Sequence, residues 1–201
     1  MLKNFAIALV ALVALFVFAV SVQPDTFHVE RSTEIDAPAA VVYAQVSDFN
    51  AWEKWNPWLK MDPTTKNENQ GQPGEVGHSN RWDGEKTGKG SMVITAVTPA
   101  ERVDFDLKFV EPYESEATVA FLLDRAGSGT KLTWTMDGKN DFMGKVMALA
   151  MDLDEVIGPD YERGLADIKT LAEARAKEEA AEAHAAESPQ AKAEPEAADA
   201  E

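Results

Sequence analysis

The sequence predicts an α+β fold: an antiparallel sheet wrapped around a long C-terminal helix, behind an N-terminal transmembrane helix. Three observations carry this reading. Phe5 to Val22 is an apolar run in which Ser21 is the only polar member. Between residues 76 and 136, short stretches alternate apolar and polar side chains and are separated by turn residues, the period of half-buried strands. From Phe142 to Leu171, apolar residues recur at three- and four-residue steps, the period of a helix with one buried face.

The apolar run spans roughly 27 Å as a helix, close to the hydrocarbon thickness of a bilayer. Lys3 and the free amine precede it, and no charge follows until Asp25. The positive-inside tendency keeps the start in the cytoplasm and exports the domain to the extracytoplasmic, periplasmic side. The rival reading is a signal peptide cut near Ala19-Val20-Ser21, which would release a secreted or periplasmic domain. The chain has no Cys, so a lipoprotein anchor, disulfides and thiolate chemistry are all excluded. Residues 1–22 are thus an anchor or signal, 23–183 the folded domain and 184–201 a disordered tail of Ala, Glu and Pro.

Within the domain, Phe27 to Asp36 alternates as a strand. Asp36 and Pro38 then suit a helix start carried on by Val41, Val42 and Val46. Trp52 and Trp55 stand three apart on one helical face, and Pro57 ends that segment. Met61 to Gly74, rich in Asn, Gln, Gly and Pro, reads as a loop. Strands follow over Val76–Trp82, Ser91–Thr98, Val103–Phe109, Ala117–Leu123 and Leu132–Met136, joined by short turns into an antiparallel meander. The charged face of each strand belongs to solvent, so the apolar face needs a cover. That cover is the final helix, started by Asp141 and expected to kink at Pro159, which removes a backbone donor.

The formal charge of −16 argues against nucleic acid as a partner, because phosphate backbones would be repelled. No HExxH or paired-His spacing occurs, so no metal site is expected. Gly88-x-Gly90 precedes a strand and so cannot cradle a dinucleotide phosphate at a helix N-terminus; no cofactor is expected. Ser79, Ser91 and Thr133 have no base beside them in sequence, and no catalytic set is assigned. His28 is expected in solvent. His78 shares parity with Asn80 and Trp82 and is read as an inward, hydrogen-bonded structural group, with a catalytic role as the rival. Asp154 or Glu155 on the long helix is a weaker candidate base.

Several stretches together resemble the polyketide cyclase/dehydrase-like branch of the START-like (SRPBCC) superfamily. Ile35-Asp36-Ala37-Pro38 looks like its first strand-to-helix turn, and Asp48-Phe49-Asn50-Ala51-Trp52-Glu53-Lys54-Trp55-Asn56-Pro57-Trp58 resembles its D-F-x-x-W-x-x-W-x-P-W stretch. Gly77 through Trp82 to Gly84, followed by Gly88-Lys89-Gly90-Ser91-Met92, resembles its G-x-x-x-x-W-x-G and G-x-G-x-M strand pair. Gly129 to Trp134 and Ile157-Gly158 with Tyr161-Glu162-Arg163-Gly164-Leu165 complete the series, in order from about Phe27 to Leu171. Pro159 departs from the pattern, whose helix is usually unbroken.

The resemblance implies a helix-grip fold with a deep cavity for hydrophobic small molecules, and no single reaction, since the superfamily holds lipid carriers, hormone receptors and cyclases alike. Candidate lining residues are Trp55, His78, Trp82, Phe105, Phe109, Phe121, Trp134, Met136, Met143, Met147 and Met151. The last three lie at four-residue spacing, where they either line a pliable pocket or fill the core. The expected function is binding of a hydrophobic small molecule or lipid by a domain tethered through residues 5–22. The alternatives are a cyclase, dehydratase or hydrolase acting in the same cavity, and a non-catalytic interaction module with a filled interior.

Overall fold

The computed structural model describes residues 2–187. The period-two runs form strands β1 (Thr26–Ile35), β3 (Ser79–Gly84), β4 (Gly88–Thr98), β5 (Arg102–Glu111), β6 (Ser115–Ala126) and β7 (Gly129–Lys139). A strand that the sequence did not announce, β2 (Lys66–Gln70), lies inside the stretch read as a loop. Its residues Lys-Asn-Glu-Asn-Gln carry no apolar side chain, so period two leaves no trace in hydropathy. All seven strands pair antiparallel in the order β1-β7-β6-β5-β4-β3-β2. Strand β4 shifts register against β5 between Lys89 and Gly90 and between Ile94 and Ala96. Such bulges bend a strand.

The helices are α1 (Leu2–Ser21), α2 (Ala39–Val46), α3 (Phe49–Trp52), α4 (Pro57–Met61), α5 (Phe142–Ala148) and α6 (Leu153–Glu187). Side-chain caps set three of the starts: Asp48 accepts from Asn50 N, Asn56 from Trp58 N, and Asp141 from Gly144 N. Asp36 is not the cap of α2. Pro38 holds that position without a side-chain bond, and the Asp36 backbone N–H donates instead to Glu173 Oε1 of α6 at 3.0 Å.

The final helix is divided, though not at Pro159. Helix α5 ends at Ala148, and Asp152 Oδ1 accepts from Asp154 N at 2.9 Å to start α6. Helix α6 then continues through Pro159, which is exposed, so water can serve the carbonyl that proline leaves without a partner. It also extends to Glu187, past the expected end at 183; the remainder of the expected disordered tail, 188–201, lies outside the described residues.

Between sheet and helix, one end is solid. Ile35, Val42, Val103, Leu132, Ile168 and Ala172 are at most 1% exposed and pack together there. The opposite end, where β1 begins and β7 stops, carries the cavity described next. Helix α6 is fastened to β1 by Arg31, which donates from Nη1 and Nη2 to both carboxylate oxygens of Asp154 at 2.8 and 2.9 Å, and from Nε to Glu162 at 3.0 Å. Its guanidinium pKa is pushed up, first by Asp154 and then by Glu162.

Candidate functional site

The cavity has a volume of about 310 Å³. Its apolar lining comes from the inward faces of five strands (Trp82, Met92, Leu107, Phe109, Val119, Trp134, Met136), from Phe49, Trp52, Trp58 and Leu59 on the short helices, and from Ile157 and Tyr161 of α6. Polar groups gather on one side, where Thr65, Asn67, Asn80, Lys86 and Thr87 form a rim with Asn56 nearby.

An aromatic wall separates the cavity from the solid core. Trp52 and Trp55 lie 4.7 Å apart by ring centroids, Trp55 meets Trp134 edge-on at 5.6 Å, and Trp134 stacks on Tyr161 at 3.8 Å and 12°. Phe121 packs against Trp52, Trp55 and Trp134 from behind. Edge-to-face aromatic pairs each add about 0.5–1.5 kcal/mol beyond the area they bury, so the wall is stiff. Burial pushes the Tyr161 phenol pKa far up. That phenol and the Lys86 ammonium are the titratable groups in the lining.

The rim is built from backbone held by one carboxylate. Asp62, 2% exposed, accepts from Thr64 Oγ1 at 2.6 Å and from the backbone N–H groups of Lys86 and Thr87 at 2.8 and 3.4 Å. It ties the segment after α4 to the β3–β4 turn. These donors, the Thr64 hydroxyl first, hold its carboxyl well below the ordinary carboxylate range. Trp82 crosses to the neighbouring strand and lies over Gly90, its register partner; a Cβ at residue 90 would collide with the indole. This explains why a Trp on one strand is matched by a Gly on the next in the motif.

The α6 motif has an equally direct reading. Ile157 and Tyr161 face the cavity, Glu162 pairs with Arg31, and Gly158 leaves room for the guanidinium, with which a Cβ would collide.

Of the residues singled out from sequence, Trp82, Phe109, Trp134 and Met136 border the cavity. Trp55, Phe105 and Phe121 have the expected inward parity and are at most 1% exposed, but they stand in or behind the wall. His78 is buried beside Phe49, accepting from Phe49 N at Nε2 (3.2 Å) and donating from Nδ1 to the Gln70 carbonyl (3.0 Å). It splices α3 to the end of β2 and does not border the cavity. Met143, Met147 and Met151 must be corrected: they are 46, 45 and 43% exposed and lie outside the lining. The break before α6 detaches α5 from the gripping helix, so their four-residue spacing does not carry them over the sheet. Asp154, the candidate base, is engaged by Arg31. His28 is exposed as expected and bonds Asp137 at 2.7 Å.

Trp52 and Trp58, absent from the lining residues expected from sequence, border the cavity as well. Leu107 and Val119 share strand parity with their Phe neighbours and could have been found by that signal. The polar rim had none. Among the described residues, no cluster of His, Cys, Asp and Glu could hold a metal ion.

Fold and site together define a helix-grip domain with an internal cavity. The chain belongs to the polyketide cyclase/dehydrase and lipid transport family, whose profile matches residues 26–173. No curated protein matches the sequence. Solved structures share the fold: an uncharacterised protein from Rhizobium leguminosarum (16% identity, TM-score 0.55, covering 74% of this chain and 95% of that one), and a protein from Chromobacterium violaceum (19%, 0.53, 75% and 98%). The Aha1 dimer from Colwellia psychrerythraea is similar to the same extent (16%, 0.52, 73% and 96%). Among the described residues, one helix, Leu2–Ser21, is long and apolar enough to cross a membrane, a property that signal sequences share.

Proposed function

We propose that this domain is a non-enzymatic binding or carrier module for a hydrophobic small molecule or lipid, held at a membrane through residues 5–22 on the extracytoplasmic side. The observation that carries the reading is the cavity itself, an apolar chamber with a polar rim along one side. Its size narrows the ligand. A cavity of ~150 Å³ takes benzene, and this one is about twice that, at the small end of ligand pockets. A single-chain amphiphile or a compact ring system fits, with its polar end at Thr65, Asn67, Lys86 and Thr87; a two-chain lipid would have to leave most of its length outside. The pairing of an acid with a base that a cyclase, dehydratase or hydrolase needs is not found in a lining whose titratable groups are one ammonium and one phenol. An interaction module with a filled interior would leave no such space.

The test is equilibrium binding to full-length protein in phosphatidylcholine nanodiscs. The ligands are an anilinonaphthalene sulfonate dye and a panel of fatty acids, a sterol and fused aromatics, with empty discs as background. The wild type should bind at least one of them saturably. Leu107→Trp, which fills the chamber from its lining, should weaken that binding by about tenfold or more while retaining the far-ultraviolet dichroism of the fold. Failure of the whole panel, or equal binding by the filled variant, would overturn the reading.

A further inference from the structure

We infer that helix α5 and the apolar residues just after it form a second membrane contact, which sets the rim of the cavity against the bilayer. Phe142, Met143, Met147, Leu149 and Met151 are each 42–59% exposed within one ten-residue stretch. A soluble surface seldom gathers large apolar side chains in this way. Their place in the fold supplies the occupant. Helix α5 packs on the end of α1, where Val20 is 1% exposed. Asn140 donates from N and from Nδ2 to the carbonyls of Asp25 and Pro24 at 2.9 and 3.1 Å, and Lys145 pairs with Asp25. A bilayer that holds α1 as far as Ser21 therefore meets the apolar face of α5 directly. This inference rests on reading α1 as a retained anchor.

The same end of the sheet carries the cavity rim. Across the register, Thr26 faces Lys139, Gly138 faces Ala117, Phe109 faces Ser115, and Lys89 faces Glu111. Thr65, Lys86 and Thr87 belong to this edge, beside the start of β2 and the β3–β4 turn. A ligand leaving over the rim thus emerges beside the surface that carries α5. The charges around it carry both signs, Lys139 and Lys145 beside Asp141 and Asp152, and Lys145 is already paired with Asp25. The contact is therefore made by apolar insertion, and zwitterionic lipid suffices for it.

The absence of Cys allows a clean test. Full-length protein carrying a single environment-sensitive fluorophore at Met147→Cys, Phe16→Cys or Asp167→Cys is reconstituted in phosphatidylcholine vesicles, with and without a nitroxide on the lipid acyl chain. The probe at 147 should be quenched several-fold by the nitroxide lipid, as the probe at 16 is, and equally at low and high salt; the probe at 167 should not respond. Quenching at 16 but not at 147 would overturn the inference and leave the anchor standing. Quenching at neither would overturn both. A blue-shifted probe at 147 that the nitroxide cannot reach would mean that protein, a second copy or another partner, covers α5, and would also overturn it. Ligand binding in nanodiscs, measured separately, stands or falls independently of these outcomes.

Discussion

The two ends of the space between sheet and α6 are built from the same strands and the same helix, yet one is solid and the other hollow. At the solid end, α2 lies close to α6, and branched aliphatic residues such as Ile35, Val42, Leu132 and Ile168 meet across a short gap. At the hollow end, α6 has only begun, and Trp58 and Leu59 of α4 with Thr65, Lys86 and Thr87 border the space without filling it. The aromatic wall is the boundary. Trp134 and Tyr161 support each other by stacking, so the wall holds its place although nothing solid stands on its cavity side. The cavity therefore comes from where the covering elements stop and does not depend on small side chains.

The comparison breaks most readily by truncation on either side of the wall. Phe121→Ala removes a ring that is fully buried between Trp52, Trp55 and Trp134, and should cost about 3–5 kcal/mol in chemical denaturation. Phe109→Ala removes a half-buried ring that already borders empty space, and should cost less than about 2 kcal/mol. Equal losses would mean that the hollow end is as tightly packed as the solid one. A smaller effect sharpens the role of the α6 motif. Gly158→Ala pushes the Arg31 guanidinium, the far end of a flexible side chain, off Asp154 and should cost about 1 kcal/mol or less. Added to Arg31→Ala, it should cost much less than on its own, because both changes lose the same contact.

The smallest effect concerns the rim and fades in acid. The Asp62 carboxyl is held below its ordinary pKa in the fold, so the stability it contributes is present above about pH 4 and is lost as pH falls through the lower, folded value. Asp62→Asn should therefore lower the melting temperature at neutral pH and flatten its decline below about pH 4. An unchanged acid slope in the variant would separate Asp62 from the rim's integrity.

How much of this was readable beforehand follows the same division. The strands announced themselves because their inner residues are large and apolar and their outer ones charged, as in Val103, Phe105 and Leu107 against Arg102, Asp104 and Asp106. The wall was visible too, since Trp55, Phe121 and Trp134 fall on inward parity. What alternation cannot convey is whether an inward residue faces a neighbour or a void, and so Phe105 and Leu107 looked alike although only Leu107 borders the cavity. The rim was silent because its Thr and Asn residues read as loop composition, which also concealed β2. The Met143, Met147 and Met151 stripe has helical spacing, but spacing says nothing about where a helix stops: the two turns capped at Asp141 share the apolar period of the long helix that follows them.

The two strands at the margins of the sheet bear on how this chain lives among copies of itself. The backbone of β1 is covered from its own chain: Lys169 Nζ of α6 donates to the Glu34 carbonyl, Glu173 of α6 receives the Asp36 N–H just past the strand, and the strand's own Arg31 Nη1 donates to the Glu30 carbonyl. Strand β2 has no such guard, but it is five residues long and carries Lys66, Glu68 and Gln70 on its more exposed face. Recruiting a foreign strand there would strip water from charged and amide groups for little return. Proteins confined to a bilayer surface meet one another far more often than in free solution. On the surface that the proposed anchoring implies, a polar, abbreviated outer strand would keep crowded neighbours from zipping into a continuous ribbon.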